Sequence, residues 1–174
     1  VSIHGAKNSV LPILAAAVLC QSPCVLHNCP QIEDVSAALE ILEYLGCRTE
    51  RQGGSIFVDA RQVSACEIPP ELAGRMRSSI VFLGALAARM GQARIALPGG
   101  CPLGARPIDL HLAALRAMGA EIAADAQSVY CRAEALHGAH IRLPFPSVGA
   151  TENILLAATH CDGCVVVENA AMEP

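Results

Sequence analysis

The sequence predicts a mixed α/β fold built from repeated β-α-β-α-β-β units, two of them complete and a third one begun. Two ungapped internal matches support this prediction. The segment LGCRTERQGGSIFVDA, from Leu45, aligns with MGAEIAADAQSVYCRA, from Met118, at an offset of 73 residues. The segment ILAAAVLCQSPCVLHN, from Ile13, aligns with ILLAATHCDGCVVVEN, from Ile154, at an offset of 141 residues. Self-similarity over distances much longer than one element is typical of duplicated structural units. The unit boundaries are expected near residues 1–60, 61–134 and 135–174.

The first unit shows both helical and strand patterns. Val35, Leu39 and Leu42 recur at helical spacing opposite charged residues, which predicts an amphipathic helix. Gly53-Gly54 separates two short strand-like runs, which is typical of a hairpin. A charge-free apolar run predicts a helix that is buried on every side. The predicted elements are a strand at Val1–Ile3, the buried helix at Ser9–Leu19, a strand at Cys24–His27, the amphipathic helix at Asp34–Leu45, and a hairpin of Cys47–Arg51 with Ser55–Asp59.

The second unit repeats this order and the third begins it again. Because the chain starts within a strand and stops before the third unit is complete, we expect it to be a fragment. The missing elements should leave apolar surface exposed, since repeated units bury their faces on one another. The predicted elements are a buried helix within Glu71–Met90, a strand at Ala93–Leu97, an amphipathic helix at Pro107–Met118, a hairpin of Glu121–Ala124 with Ser128–Arg132, a strand at His140–Leu143, and a further buried helix after it.

Composition limits the functions that the chain can have. Its 174 residues are enough for one domain with a core, and because 53% are hydrophobic but only 3% aromatic, that core must consist of Ala, Leu, Ile and Val. The net charge of −4 and the scattered basic residues argue against a nucleic-acid or membrane-surface partner. The apolar runs Val10–Leu19 and Ile80–Ala88 are too short to span a bilayer.

The nine cysteines predict a reducing, cytoplasmic location. Their number is odd and their spacing forms no disulfide framework, so most should act as small buried hydrophobic residues. Cys161 and Cys164 form a C-x-x-C pair, for which a helix end running into a strand is favoured over a zinc or redox site. No second pair accompanies it, so we predict neither a metal nor a cofactor.

The loop LPGGCPLGARPIDLH, from Leu97 to His111, is the strongest candidate for chemistry. Its paired glycines allow a ligand to approach the backbone closely. Pro107 suits the first position of a helix, so Arg106 and the free N–H groups of that helix would face the same anion. A nearby positive site favours the reactive thiolate of Cys101, provided that the thiol is exposed. Asp109 is favourable near a helix N-terminus through the dipole alone.

Two further turns precede the buried helices. GAKNSVLP contains Lys7, the only lysine beside eleven arginines, followed by Asn8. PSVGATEN contains Ser147 and Gly149 at the equivalent place. Small and polar residues at helix N-termini suit diphosphate binding, although ordinary capping by Asn8 or Ser147 explains each turn equally well when taken alone. Arg77, beside an apolar helix, fits a site residue or a surface arginine about equally.

Five ordered segments resemble one family. They are GAKNSVLPILAA, RMRSSIVFLGALAAR, LPGGCPLGARPIDLHLAALRAMGAEI, PSVGATENILLAAT and VVVENAAMEP, and together they resemble the UDP-N-acetylglucosamine enolpyruvyl transferases. The related 5-enolpyruvylshikimate 3-phosphate synthases share the repeated architecture but lack the cysteine loop. The resemblance implies an inside-out α/β barrel domain, of which this chain supplies two units and part of a third, and a second domain that is absent here.

The resemblance also implies a reaction and its residues. Enolpyruvyl moves from phosphoenolpyruvate to the 3′-hydroxyl of UDP-N-acetylglucosamine, with release of phosphate, in the first committed step of peptidoglycan synthesis. Cys101 corresponds to the catalytic cysteine, which donates a proton and can add covalently to phosphoenolpyruvate. The implied phosphoenolpyruvate ligands are Lys7, Asn8 and Arg106. The implied UDP-N-acetylglucosamine ligands are Asn8, Arg77, Arg106, Pro107, Ile108, Asp109, Leu110, Ser147, Val148 and Gly149.

The chain departs from the family at two positions. Phe145 stands where some members have a lysine that contacts the diphosphate, and Met172 stands where a basic residue often precedes the Glu-Pro pair. The family's catalytic aspartate and a further arginine belong to the other domain, so we expect negligible activity from this chain alone. A non-catalytic UDP-sugar-binding or assembly module is the alternative, and Cys101 discriminates because a pure binder needs no thiol on that loop.

Overall fold

A computed structural model describes residues 5–97 and 108–172, together with the backbone but not the side chain of Arg77. Within this part of the chain, helices pack on one another and three small sheets flank them. The predicted strand at Val1–Ile3 and the loop residues Cys101, Arg106 and Pro107 lie outside the described residues. The arrangement agrees with the predicted α/β class and with the inside-out architecture.

Six α-helices and one 3-10 helix are present in the described residues. The charge-free helix predicted after Glu71 is confirmed as α4, in which every residue from Phe82 to Ala87 is buried. It follows a separate short helix and a 3-10 helix, so the predicted segment is divided into three elements. The helices are α1 (Lys7–Ala17), α2 (Glu33–Tyr44), α3 (Pro70–Ala73), the 3-10 helix (Arg77–Val81), α4 (Phe82–Met90), α5 (Asp109–Ala117) and α6 (Val148–Ala158).

Each sheet belongs to a different stretch of the chain. The first is antiparallel with strand order β1-β3-β2, and the second has the order β4-β5-β7-β6, in which only β4 and β5 run parallel. The third is the parallel pair β8-β9. The strands are β1 (Cys24–Leu26), β2 (Arg48–Gln52), β3 (Ser55–Asp59), β4 (Glu67–Ile68), β5 (Gln92–Ala96), β6 (Glu121–Ala124), β7 (Ser128–Arg132), β8 (His140–Arg142) and β9 (Val166–Glu168). The two-residue strand β4 was not predicted.

The two hairpins have the same register. Arg48 pairs with Asp59 in the first hairpin, and Glu121 pairs with Arg132 in the second. Both partners are therefore displaced by the 73 residues of the sequence alignment. The internal match predicted from the sequence is confirmed for these strands.

The 141-residue offset also has a structural counterpart. Helices α1 and α6 begin at Lys7 and Val148, which the offset makes equivalent. Asn28 and Asn169 are equivalent too, and they are the two non-glycine residues of the described chain with positive φ, at 59° and 58°. Asparagine tolerates the left-handed region better than most residues do. The same backbone turn therefore recurs after β1 and at the end of β9.

Two helix predictions need correction. The first helix is not buried on every side, because Ile13 is 48% exposed on α1, and Leu155 is likewise 59% exposed on α6. The second correction concerns the helix after the cysteine loop, which begins at Asp109 and not at Pro107. Ile108 is its N-cap, with φ −99° and ψ 8°, and these angles lie outside the α-helical region.

The described cysteines differ in their surroundings. Cys29, Cys47 and Cys131 are buried, four others are partly exposed and Cys164 is exposed, so the prediction of mostly buried thiols was too broad. Burial raises the pKa of both Cys47 and Cys131 to about 11. Cys161 and Cys164 lie between α6 and β9, which confirms that this pair follows a helix end. Among the described residues, no helix is long and apolar enough to cross a membrane.

Candidate functional site

The predicted site residues that the structure describes lie at the N-terminal ends of helices. Lys7 and Asn8 form the first turn of α1, and both are exposed. Ile108, Asp109 and Leu110 begin α5, and Ser147, Val148 and Gly149 begin α6. Arg77 is the first residue of the 3-10 helix. Unpaired N–H groups and the helix dipole make such ends suitable for anions, including the phosphates of a nucleotide sugar.

Ser147 is the N-cap of α6. Its Oγ accepts a hydrogen bond from the backbone N–H of Ala150 at 3.4 Å, and its backbone oxygen accepts one from Thr151 Oγ1 at 2.8 Å. The capping role that the sequence left open is therefore present for Ser147, and its hydroxyl proton is still available to a ligand oxygen. Asn8 has no such role, because Ala6 is the N-cap of α1.

Lys7 forms an ion pair that the sequence did not predict. Its Nζ donates to Asp34 Oδ2 at 2.7 Å, and the two side chains are 52% and 27% exposed. Asp34 lies in the first turn of α2, so the pair links the N-terminal ends of α1 and α2. Exposed pairs of this kind contribute about 0–1 kcal/mol to stability. A ligand phosphate or carboxylate can therefore compete with Asp34 for the ammonium group at little cost to the fold.

A buried polar cluster joins α4, α5 and α6 behind these helix ends. Asn153, which is 0% exposed, lies on α6, and its Nδ2 is 2.7 Å from Nδ1 of His111 on α5. The same Nδ2 donates to the backbone oxygen of Ile80 at 3.0 Å. Its Oδ1 accepts from the backbone N–H of Gly84 at 2.7 Å. One amide side chain therefore contacts three separate segments of the chain.

The cluster fixes the tautomer of His111. Gly84 N–H requires an oxygen acceptor and Ile80 C=O requires a donor, so the amino group of Asn153 faces the imidazole. Nδ1 of His111 must then accept, which places the proton of the neutral ring on Nε2. Burial lowers the pKa of His111, with a smaller opposing effect from the carboxylate of Asp109. The imidazole is therefore neutral near physiological pH.

Two glycines make this cluster possible. A Cβ atom at Gly149 would lie 3.0 Å from Cε1 and 3.3 Å from Nε2 of His111. A Cβ atom at Gly84 would lie 2.3 Å from the backbone oxygen of Asn153, which is closer than real Cβ contacts come. Gly149, predicted as a UDP-sugar ligand, therefore has a packing role as well, because it admits the His111 ring against the first turn of α6.

The two departures from the family lie on the surface. Phe145 is 55% exposed two residues before Ser147, and Met172 is 94% exposed. Both positions would let a long basic side chain reach solvent, as the family pattern requires. The residues present here supply no positive charge at these positions. Any contact with the diphosphate must therefore come from other groups.

The structure brings some of the predicted residues together and leaves others apart. The first turns of α5 and α6 meet through His111 and Gly149. Lys7 bonds instead to Asp34 at the start of α2. Three groups of the site region were missed: Asp34, His111 as a buried group, and Asn153. A signal was present for His111, which shares the apolar face of its helix with Ile108, Leu112 and Leu115.

No group of three or more His, Cys, Asp or Glu side chains able to hold a metal ion occurs within residues 5–97 and 108–172. In the same part of the chain, the pair of Cys161 and Cys164 makes a weak contact, from Cys161 Sγ to the backbone oxygen of Gly163 at 3.7 Å. The zinc alternative considered for this pair therefore gains no support from the geometry.

The sequence matches known proteins along its whole length. The family described as EPSP synthase (3-phosphoshikimate 1-carboxyvinyltransferase) matches residues 1–174. The chain is 52% identical to UDP-N-acetylglucosamine 1-carboxyvinyltransferase 2 of Caldanaerobacter subterraneus subsp. tengcongensis. It is 47% identical to UDP-N-acetylglucosamine 1-carboxyvinyltransferase of Oleidesulfovibrio alaskensis. Both alignments cover 100% of this chain but only 42% of the relative's length.

A solved structure has the same fold. The enolpyruvyl transferase NikO from Streptomyces tendae superimposes with a TM-score of 0.75 at 26% sequence identity. The superposition covers 88% of this chain and 37% of the NikO chain. The helices and sheets described above are therefore those of an enolpyruvyl transferase fold, of which the chain forms a part.

Proposed function

Since the chain belongs to the EPSP synthase family, we propose that it is part of an enzyme that transfers enolpyruvyl from phosphoenolpyruvate to the 3′-hydroxyl of UDP-N-acetylglucosamine. The C–O bond between the enolpyruvyl carbon and the phosphate breaks, and a C–O bond to the sugar oxygen forms. The hydroxyl proton is lost and inorganic phosphate leaves. The observation that carries this choice of acceptor is the 52% identity, over the entire chain, to a protein named for that acceptor. The product would enter peptidoglycan synthesis in the cytoplasm.

The proposed roles follow the positions of the residues. Cys101 would donate a proton to the methylene carbon of phosphoenolpyruvate, and its thiolate could form a covalent adduct with the same substrate. Lys7, Asn8 and Arg106 would hold the phosphate and carboxylate groups. Support comes from the exposure of the Lys7 ammonium group at a helix N-terminus, beside a carboxylate that a substrate anion can replace.

The UDP-sugar would contact the helix ends of the second and third units. The N-terminal turns of α5 and α6 present backbone N–H groups, and the exposed Ser147 hydroxyl adds a donor for a phosphate oxygen. Two of the ten residues, Arg106 and Pro107, lie outside the described part of the chain. The proposed ligands are Asn8, Arg77, Arg106, Pro107, Ile108, Asp109, Leu110, Ser147, Val148 and Gly149.

A second domain would complete the enzyme. The chain spans 42% of the length of the two curated relatives, so a complete protein of that length has room for the rest of the third unit and for a further domain. We place the catalytic aspartate and another phosphate-binding arginine in that domain. The repeat boundaries near residues 60 and 134 belong to the same proposal and are supported by the equal registers of the two hairpins.

The acceptor can be tested directly. The full-length protein is incubated with phosphoenolpyruvate and either UDP-N-acetylglucosamine or shikimate 3-phosphate, and phosphate release is followed. We expect release with the UDP-sugar and none above background with shikimate 3-phosphate. Release with shikimate 3-phosphate alone would replace the proposed acceptor. Tight binding of the UDP-sugar without any release would favour the non-catalytic alternative.

A further inference from the structure

The buried amide of Asn153 lies at the point where three proposed substrate-binding segments meet. Asn153 bonds to Ile80 in the 3-10 helix that begins at Arg77, to Gly84 at the start of α4, and to His111 on α5. It belongs itself to α6, four residues after Gly149. Each of these segments begins with a residue assigned to the UDP-sugar in the proposed function.

These hydrogen bonds have few alternatives. Asn153 is 0% exposed and His111 is 8% exposed, so water cannot readily replace a lost partner. The asparagine uses both amino protons and its oxygen within the cluster. A buried polar group left without a partner loses its full solvation, which makes such clusters sensitive to the removal of any member.

The close packing makes the cluster act on the helix ends. The Nε2 side of the His111 ring lies against Gly149, where even one added carbon would approach to 3.0 Å. The position of the ring, which Asn153 holds through Nδ1, therefore fixes the distance between the first turns of α5 and α6. A displacement of the ring would shift the N–H groups that a diphosphate would bind.

We propose that Asn153 is a positioning residue for the UDP-sugar, acting through a neutral His111 to hold the N-terminal ends of α5, α6 and the 3-10 helix in register. This inference rests on the proposed function. It assigns no contact with substrate to Asn153. It requires only that Nδ1 of residue 111, or an oxygen in its place, accepts the hydrogen bond from the Asn153 amino group.

The role predicts a dependence on pH. A protonated ring would place an N–H group against the Asn153 amino group, and burial holds the ring neutral. Asp109 is the group whose charge acts on His111 in the opposite direction. The side chain of Arg77, on the 3-10 helix, is not among those described. The other titratable residues on the elements packed against α5 are Glu152 on α6, Glu121 on β6, and His140 and Arg142 on β8.

The experiment uses the full-length protein and four variants. His111→Asn keeps an oxygen at the place of Nδ1, whereas His111→Leu fills the space without an acceptor. Asn153→Ala removes the positioning group. Val58→Ala, which creates a cavity in the buried core of the first sheet, controls for a general loss of stability. Thermal unfolding is measured for every variant, so that each kinetic effect is compared at known stability.

We expect a selective effect on one substrate. Asn153→Ala and His111→Leu should raise the KM for UDP-N-acetylglucosamine about tenfold with little change in the KM for phosphoenolpyruvate, as expected when a hydrogen bond that fixes the site is lost. His111→Asn should stay within about threefold of the wild type, because it preserves the bond. Val58→Ala should leave both KM values unchanged.

The pH profile gives an independent readout. In the wild type the KM for the UDP-sugar should show no titration attributable to His111 between about pH 6 and about pH 8, since the ring stays neutral. In Asn153→Ala, water enters the cluster and the pKa of His111 rises toward its ordinary value. The KM should then increase as the pH falls through that range.

The outcomes separate the two proposals. If the wild type releases no phosphate with UDP-N-acetylglucosamine, the proposed function fails. If the wild type is active but His111→Leu has an unchanged KM, or if His111→Asn is impaired as much as His111→Leu, the positioning role is wrong. Equal rises in both KM values, matched by Val58→Ala at the same stability, would also overturn it by showing a general loss of stability.

Discussion

Lys7 is the residue whose surroundings most sharply limit its role. Its ammonium group bonds to Asp34 on an exposed surface, and a compact point charge can exchange one anion for another more easily than a guanidinium fork can. The presence of a single lysine among eleven arginines agrees with a position that specifically needs an amine. The ion pair would then hold Lys7 ready in the absence of substrate.

Substitutions at this pair should have unequal effects in the full-length enzyme. Lys7→Ala should abolish measurable phosphate release, because the ligand anion loses its main positive partner. Asp34→Asn should lower the KM for phosphoenolpyruvate a few-fold and change stability by less than about 1 kcal/mol, since it removes only an exposed competitor. Steady-state kinetics and thermal unfolding measure both effects. Wild-type turnover in Lys7→Ala would exclude Lys7 from the site.

The thiols should differ in reactivity. Because burial raises the pKa of Cys47 and Cys131 to about 11, less of each thiol is ionised at any pH below that value. A phosphonate epoxide that mimics phosphoenolpyruvate should alkylate Cys101 in the full-length protein, and Cys47 and Cys131 should stay unmodified near pH 8. Peptide mass spectrometry reads out each site. The exposed Cys164 serves as the comparison, because general alkylation would label it too.

At the scale of elements, the contact between α4 and α6 depends on the absence of a side chain at one position. A Cβ atom at Gly84 would lie 2.3 Å from the backbone oxygen of Asn153, and a backbone atom cannot turn aside as a flexible side chain can. Gly54, in the first hairpin turn, offers a matched control, because nothing lies within 4 Å of the equivalent point. The two positions differ in packing and not in residue type.

Gly84→Ala should therefore destabilise the protein by at least about 2–3 kcal/mol, as overpacking of a close-packed core does. Gly54→Ala should change the free energy of unfolding by less than about 1 kcal/mol. Denaturant unfolding of the full-length variants measures both values. Similar values for the two variants would mean that α4 and α6 can separate without cost, contrary to their observed packing.

The elements also show what sequence reasoning could reach. The hairpins were predicted because the Gly53-Gly54 turn and the 73-residue match act locally, and Glu121–Ala124 and Ser128–Arg132 were placed at their observed bounds. The exposure of Ile13 could not be predicted in the same way, since it depends on which neighbours cover α1. The cluster at Asn153 joins residues 42 to 73 positions apart, and no local pattern specifies such distances.

The whole molecule combines a duplicated scaffold with unequal chemistry. The sheets and helices recur at fixed offsets, yet the proposed ligands differ at each helix start: an amine at Lys7, and a hydroxyl with small neighbours at Ser147. Duplication supplies several equivalent helix N-termini that converge on shared helices, and each can acquire a different ligand group. An active site formed this way would need every unit that contributes a ligand.

That dependence predicts the behaviour of the 174-residue chain by itself. Because the chain spans 42% of its curated relatives, and because the proposed aspartate and further arginine lie in the second domain, the isolated chain should release no phosphate from phosphoenolpyruvate and UDP-N-acetylglucosamine. Its folding is checked by circular dichroism. Addition of the separately produced remainder of the protein should restore turnover if both parts fold, whereas a chain carrying Cys101→Ala should not restore it. Phosphate release by the isolated, folded chain would show that the second domain is not needed for the reaction.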